Sequence, residues 1–240
     1  MAHRERVFAL TLRAAGVAAA APLTAEQIIE KSIAATGGRK AIESVTSTVA
    51  KGELEMLTQH AHAAIEYYAK APAQRLIVTR LEGFGVIRQG CDGASAWIQN
   101  ADLSVREFAG EEKEAALREC AFHAEIQWRQ LYPKVELAGK ENIGERPAYK
   151  IVMRPPAGNP VTRYIDAETF LLLRQVSVRE SAEGAVTIQA DFSDYRDVGG
   201  IKVPFLIHQK MPGYELVIKM VSVENNVPID DARFAKPASR

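Results

Sequence analysis

The sequence predicts a mainly β protein (α+β) whose strands form an antiparallel meander. Residues 164–174, 194–204 and 228–234 carry the pattern of strand, tight turn and strand. Connections this short join antiparallel neighbours, because parallel strands need a longer crossover. A sheet of this kind must either close on itself or cover its apolar face with another layer. What lies against the apolar face therefore decides what the protein can bind.

Each helix is predicted from its start signal and its apolar spacing. Thr24 and Gln27 form a capping-box pattern in front of a stripe of isoleucines, and Gly37-Gly38 ends that helix. A short second helix is predicted over residues 39–45. A third, over residues 110–129, begins with two glutamates and repeats apolar residues at three- and four-residue steps.

The strands are predicted from alternation with a period of two, beginning at Thr46. Leu54 and Met56 share one strand face, whereas Glu53 and Glu55 share the other. In residues 74–81 both faces are largely apolar. The pattern predicts about eleven strands, separated by turns rich in Gly, Pro and Asp. No linker or low-complexity stretch divides the chain, so we expect residues 21–240 to form one domain.

Composition and charge narrow the class of partner. The 240 residues include 30 basic and 30 acidic side chains, which give a formal net charge of zero. Such a balance argues against nucleic acid as a partner, because phosphate binding needs a basic excess. The only cysteines, Cys91 and Cys120, allow one disulfide at most. We expect two unpaired, partly buried thiols, with the disulfide as the alternative.

The N-terminus has the pattern of a signal peptide over residues 1–20. A short basic start precedes an apolar run over residues 7–21, and Ala18-Ala19-Ala20 supplies the small residues that signal peptidase recognises. This run is shorter than the roughly 20 apolar residues that a membrane span needs. We therefore expect a periplasmic or secreted protein with no transmembrane segment. An amphipathic or unstructured tail is the alternative interpretation.

Five segments together resemble a known family: residues 33–42, 89–97, 164–174, 194–204 and 229–234. With these segments in this order and at this spacing, the chain resembles the outer-membrane lipoprotein-sorting proteins with the LolA/LolB-like fold, in their uncharacterised branch. The resemblance implies a curved antiparallel sheet, or half-open β-barrel, wrapped over two or three helices. It also implies an apolar cavity, which holds acyl chains in some members of the family.

The resemblance suggests an exported carrier of a lipophilic ligand, namely a lipid or a lipoprotein acyl chain. Burying an alkyl chain contributes about 0.8 kcal/mol per methylene group, so binding needs no covalent chemistry. The candidate cavity lining is taken from the apolar strand faces. Its members are Leu54, Met56, Ile65, Tyr67, Leu76, Val78, Trp97, Ile151 and Met153. For each of these residues, ordinary core packing is the alternative interpretation. The corresponding alternative function is a structural or interaction module of the cell envelope with a filled core and no ligand.

No catalytic motif supports an enzyme. His60 and His62 would share a strand face, but no further ligand has a metal-binding spacing. The carboxylates Asp191 and Asp194 fit an exposed strand better than a hydrolytic pair. We therefore expect no catalytic residue, no metal and no cofactor. An envelope protein is a further candidate partner, and we expect a monomer.

Overall fold

Thirteen antiparallel strands form one open sheet in the computed structural model, which describes residues 22–181 and 184–238. The predicted signal peptide lies outside the described residues. The strands are β1 (Ser47–Met56), β2 (Ala61–Lys70), β3 (Gln74–Leu81), β4 (Gly85–Cys91), β5 (Ala96–Gln99), β6 (Val105–Glu107), β7 (Lys134–Ile143), β8 (Arg146–Arg154), β9 (Val161–Asp166), β10 (Leu172–Ser181), β11 (Gly184–Val198), β12 (Ile201–Met211) and β13 (Tyr214–Asn225). The helices are α1 (Ala25–Thr36), α2 (Arg39–Ser44), α3 (Gly110–Cys120), α4 (Trp128–Leu131) and a 3-10 helix, Asp231–Phe234.

The sheet consists of two meanders joined at their first and last strands. Its order is β6-β5-β4-β3-β2-β1-β13-β12-β11-β10-β9-β8-β7, and β1 pairs antiparallel with β13. Strands β6 and β7 form the two edges and do not pair with each other. The predicted architecture, a curved half-open barrel of antiparallel strands with helices, is confirmed.

Two details of the sequence prediction need correction. The sheet has thirteen strands rather than about eleven, because β6 is only three residues long and too short to show alternation. The helix predicted over residues 110–129 is broken into α3 and α4. Ala121 adopts φ −58° and ψ 112°, which ends α3, and the Phe122 N–H donates to the Pro72 carbonyl.

All four α-helices pack on one face of the sheet, which we call the inner face; the opposite side is the outer face. On the inner face, α1 buries Ile28, Ile29 and Ile33 as its stripe predicted. Both hydrogen bonds of the predicted capping box are present, at 2.9 and 3.3 Å. On the outer face the C-terminal segment returns across β3 to β5, and its Phe234 is fully buried.

The two cysteines form a disulfide, so the expectation of unpaired thiols was wrong. Cys91 ends β4 and Cys120 ends α3, and their Cα atoms lie 6.7 Å apart. Both side chains are buried in a cluster with Ala96, Phe108 and Ala116. Because α3 packs across β4 and β5 through this cluster, its last residue lies over the last residue of β4. Spacing along the chain could not show that packing.

Candidate ligand-binding site

A cavity of about 250 Å³ lies on the inner face between α1 and strands β9 to β12. Its apolar wall consists of Ile29, Ile33, Ile165, Leu172, Phe192 and Pro204. Its polar lining consists of Ser32, Thr36, Glu125, Arg163, Gln175, Tyr195 and Lys202. Apolar and polar side chains thus share the lining about equally, so the cavity offers both a surface for an apolar group and partners for a polar one.

Helix α1 is held over the sheet by contacts at its end and on its side. Gly37 ends the helix with φ +138°, and a Cβ atom there would lie 2.3 Å from the Gly200 carbonyl oxygen. Only glycine therefore fits against the β11–β12 turn. On the side of the helix, the Glu30 carboxylate accepts from Arg39 at 2.8 Å, Arg129 at 2.7 Å and the Trp128 indole at 3.2 Å. These contacts fix one wall of the cavity.

The pKa of Glu30 reflects the same contacts. Partial burial would raise it, but the hydrogen bonds from Arg39, Arg129 and Trp128 outweigh that effect and keep the pKa below its ordinary value. Glu30 is therefore charged at neutral pH and joins α1 to α4. Its role is structural.

Tyr195 places a neutral phenol in the cavity. Burial raises the pKa of Tyr195 far above its ordinary value, and the nearby charge of Glu125 adds to this effect. The hydroxyl donates to the Leu172 carbonyl at 2.7 Å. Tyr195 therefore stays protonated at neutral pH and ties β11 to the start of β10.

Arg163 is a cation of the cavity that forms no ion pair with a carboxylate among the described residues. Its Nε atom donates to Oε1 of Gln175 at 3.1 Å, which is its one hydrogen bond in this part of the chain. Within residues 22–181 and 184–238, no carboxylate lies within 4.0 Å of the guanidinium. The Nη atoms thus retain donors that a bound group could use.

A second cavity of about 270 Å³ lies beside α2 and contains Tyr67, one of the predicted lining residues. Ile42, Val45, Phe122, Ile201, Val203 and Val223 supply its apolar wall. His123 contacts the Val45 carbonyl through Nε2 at 2.9 Å and so fixes the segment between α3 and α4 against this site. Glu125 lines both cavities.

The nine predicted lining residues fall into separate groups. Leu54, Met56 and Ile65 pack together on the inner face with Ala63 and Ile218. Tyr67 lies on the same face in the second cavity.

The other five lie elsewhere. Ile151 and Met153 are fully buried directly beneath α1. Leu76, Val78 and Trp97 lie on the outer face, because their register places them opposite Tyr68, Glu66 and Gly90 rather than Tyr67. Ligand binding by any of the nine stays a prediction.

Sequence reasoning missed the residues that surround the cavity under α1. The isoleucines of α1 were interpreted only as packing residues, and Ile165 and Leu172 only as parts of a hairpin. The register of that hairpin places Ile165 directly opposite Leu172, which makes them adjacent on the cavity wall. The alternation of β9 carried a usable signal, since Arg163 interrupts an inner-face row between Val161 and Ile165.

Among the residues that the structure describes, no helix combines the length and apolar character needed to cross a bilayer.

Comparison with known proteins gives structural matches only. No family model and no curated protein matches the sequence. Three crystal structures share the fold, each over 88–90% of this chain and 97–99% of the other chain. They are a DUF1329 family protein from Desulfovibrio piger (12% identity, TM-score 0.58), a LolA superfamily protein from Nitrosomonas europaea (13%, 0.57) and a putative outer membrane lipoprotein-sorting protein domain from Vibrio parahaemolyticus (12%, 0.56). The chain therefore has the LolA-like fold that its sequence motifs suggested.

Proposed function

We propose that the protein is an exported binding or carrier protein that holds a lipophilic ligand in the cavity under α1. The cavity carries this proposal, since its wall of aliphatic side chains and Phe192 would take an alkyl chain out of water. Each buried methylene group would contribute about 0.8 kcal/mol to binding. The LolA-like fold, shared with a lipoprotein-sorting domain, supports a role in the cell envelope.

Binding, rather than catalysis, is the chemistry that this site favours. Tyr195 remains protonated and uses its hydroxyl on a backbone carbonyl. The carboxylate of Glu30 on α1 accepts hydrogen bonds from two arginines and an indole. We therefore propose a non-catalytic protein whose residues 21–240 act as one unit after removal of residues 1–20. Intact-mass measurement of the protein recovered from a bacterial periplasm tests the cleavage.

Ligand binding is tested by the fluorescence of N-phenyl-1-naphthylamine, a neutral lipophilic probe, together with mass spectrometry of solvent extracts of natively purified protein. Ser32→Trp fills the cavity from α1, and Ala34→Trp places the same side chain on the exposed side of that helix. We expect the first variant to bind the probe at least tenfold more weakly and the second to match the wild type. Lipid-free protein that fails to bind the probe, or equal binding by both variants, would refute the proposal.

A filled structural module is the second candidate function, and one observation favours it. Ile151 and Met153 have no exposed surface, so part of the predicted ligand lining is closed by α1. The same probe measurement decides between the two functions, because a filled module has no site that Ser32→Trp could block.

A further inference from the structure

We infer that the cavity under α1 selects a single-chain amphiphile with an anionic headgroup, and that Arg163 binds this headgroup. The inference rests on the proposed function and adds the ligand class. It starts from the position of Arg163 on β9, where its cross-strand neighbours are Ile151 and Gln175. Ile151 is fully buried and Gln175 lines the cavity, so Arg163 lies between the apolar core and the cavity on the inner face.

Several other arginines near the inner face are neutralised by carboxylates. Arg39 and Arg129 both pair with Glu30, and Arg75 and Arg179 both pair with Glu119 at 3.0–3.3 Å. Arg163 differs, because its hydrogen bond among the described residues goes to the neutral amide of Gln175. A partly buried charge without an opposite charge is unfavourable, so a bound anion would stabilise this site.

The donors available in the cavity suit an oxyanion. A guanidinium carries five N–H donors, of which the Gln175 contact uses the one on Nε. The four on the Nη atoms form a planar fork that matches a carboxylate or a phosphate. Because Gln175 accepts from Arg163 through Oε1, its amide nitrogen remains free to donate to the same bound carboxylate or phosphate. Lys202 adds a second positive charge to the lining, against the single negative charge of Glu125.

The volume limits the apolar part of the ligand. Ligand pockets typically measure about 300–1,000 Å³, and an engineered cavity of about 150 Å³ holds benzene. At about 250 Å³, this cavity matches one alkyl chain of modest length rather than the several chains of a lipoprotein anchor. Its charge and size together point to an alkyl carboxylate or an alkyl phosphate.

Displacement of N-phenyl-1-naphthylamine from the purified full chain tests this selectivity. Decanoate, monodecyl phosphate and decanol share one chain length and differ in the headgroup. We expect one or both anions to compete at least tenfold more strongly than decanol, and the stronger of the two identifies the headgroup. In Arg163→Gln this preference should disappear while the affinity for decanol is retained. Arg154→Gln is the matched control, because Arg154 is an exposed residue near Glu136 at the end of the adjacent strand β8.

The outcomes separate the two proposals. Equal competition by decanol and both anions in the wild type would overturn the anion preference and leave the proposed function standing. Retention of the preference in Arg163→Gln would overturn the role of Arg163. Absence of probe binding in the wild type would overturn the proposed function and this inference with it. Should Arg163→Gln fold poorly, Arg163→Lys keeps the charge without the planar fork and should retain only part of the preference.

Discussion

The two faces of the sheet carry different covers: the C-terminal segment leaves an open groove of about 510 Å³ beside Leu76, Val78 and Trp97 on the outer face, whereas α1 shelters a more enclosed cavity on the inner face. On the outer face, Ile229 and Phe234 meet Leu76, Val78 and Trp97, and Phe234 has no exposed surface. On the inner face, α1 packs tightly on Ile151 and Met153 yet leaves a cavity of about 250 Å³ over β9 to β12.

The shape of each cover explains the difference. The C-terminal segment crosses the outer face and includes a short 3-10 helix; Lys70 donates to the Ile229 carbonyl at 3.0 Å, and the Arg233 guanidinium stacks 4.3 Å from the centre of the Tyr68 ring. Helix α1 is a rod of 12 residues that contacts β7 and β12 across a curved sheet. A helix can contact both sides of a curved sheet and still leave space over the strands between them. The unfilled space therefore follows from geometry rather than from a lack of apolar residues.

Three Phe→Ala substitutions test this comparison most strongly. Phe234→Ala should lower the free energy of unfolding by about 3–5 kcal/mol, because it removes a fully buried ring from an apolar cluster. Phe192→Ala should cost only about 1–2 kcal/mol, because that ring already borders open space. Urea unfolding of both variants measures the difference.

Phe84→Ala is the control, since Phe84 is 74% exposed and its loss should change stability by no more than about 0.5 kcal/mol. Equal losses for Phe234→Ala and Phe192→Ala would mean that Phe192 is packed as tightly as the fully buried Phe234. The proposed binding site would then lose its main support.

Removing the Cys91–Cys120 disulfide tests the other half of the inner face, where α3 is tied to β4. The bridged residues are 29 apart in sequence, so the Cys91→Ala/Cys120→Ala variant should lose about 3–4 kcal/mol of stability. Urea unfolding measures the loss, and hydrogen exchange should show that α3 opens more readily. Dithiothreitol should destabilise the wild type and leave the variant unchanged. A wild type indifferent to reductant would show that this bridge does not form in solution.

Local patterns predicted much of the fold. The capping box at Thr24 and the isoleucine stripe specified α1, because both signals lie within one helix. The alternation of Leu54 with Glu53 and Glu55 specified the buried side of β1. Short turns specified antiparallel neighbours. These features depend on residues a few positions apart, where spacing alone determines geometry.

Local sequence patterns could not predict contacts between segments that are distant in the chain. Alternation shows that Leu76 and Val78 share a face, but not that the helices cover the opposite one. The disulfide depends on where α3 lands on β4, and the cavity depends on the curvature of the sheet beneath α1. Arg163 could be placed on the inner row of β9, but its lack of a carboxylate partner is a property of the folded chain.

Gly90→Ala tests how tightly the outer face is packed. A Cβ atom at this position would lie 2.5 Å from Cζ2 of Trp97, and the backbone of Gly90 does not need positive φ. The substitution should therefore cost about 1–3 kcal/mol through steric overlap alone. Urea unfolding checks this value, and the loss should shrink in a Trp97→Leu background. Probe binding at the inner-face cavity should stay at the wild-type level, whereas an impaired affinity would contradict the separation of the two faces.

Asp166→Asn tests the turn that sets the cavity wall, because Asp166 follows Ile165 directly and precedes Leu172 by one tight turn. Its buried carboxylate accepts from the Thr169 N–H at 2.6 Å and the Glu168 N–H at 3.0 Å, and pairs with Arg146 at 2.8 Å. Burial would raise its pKa, but these contacts outweigh burial and hold the pKa below its ordinary value. The variant keeps an acceptor oxygen and loses the charge, so it should be less stable by about 1–3 kcal/mol at pH 7.

The pH dependence of that difference has a defined sign. A carboxyl group with a lowered folded-state pKa stabilises the fold above its unfolded pKa of about 3.9, and this contribution disappears as the pH falls through the folded-state value. The stability gap between wild type and Asp166→Asn should therefore be constant from pH 7 to 5 and shrink below about pH 4. Glu168→Gln, an exposed change in the same turn, should stay within about 0.5 kcal/mol of the wild type throughout. A gap that persists undiminished at pH 3 would assign the loss in Asp166→Asn to the amide NH2 group that replaces an acceptor oxygen, because a loss caused by the missing charge must shrink on acidification.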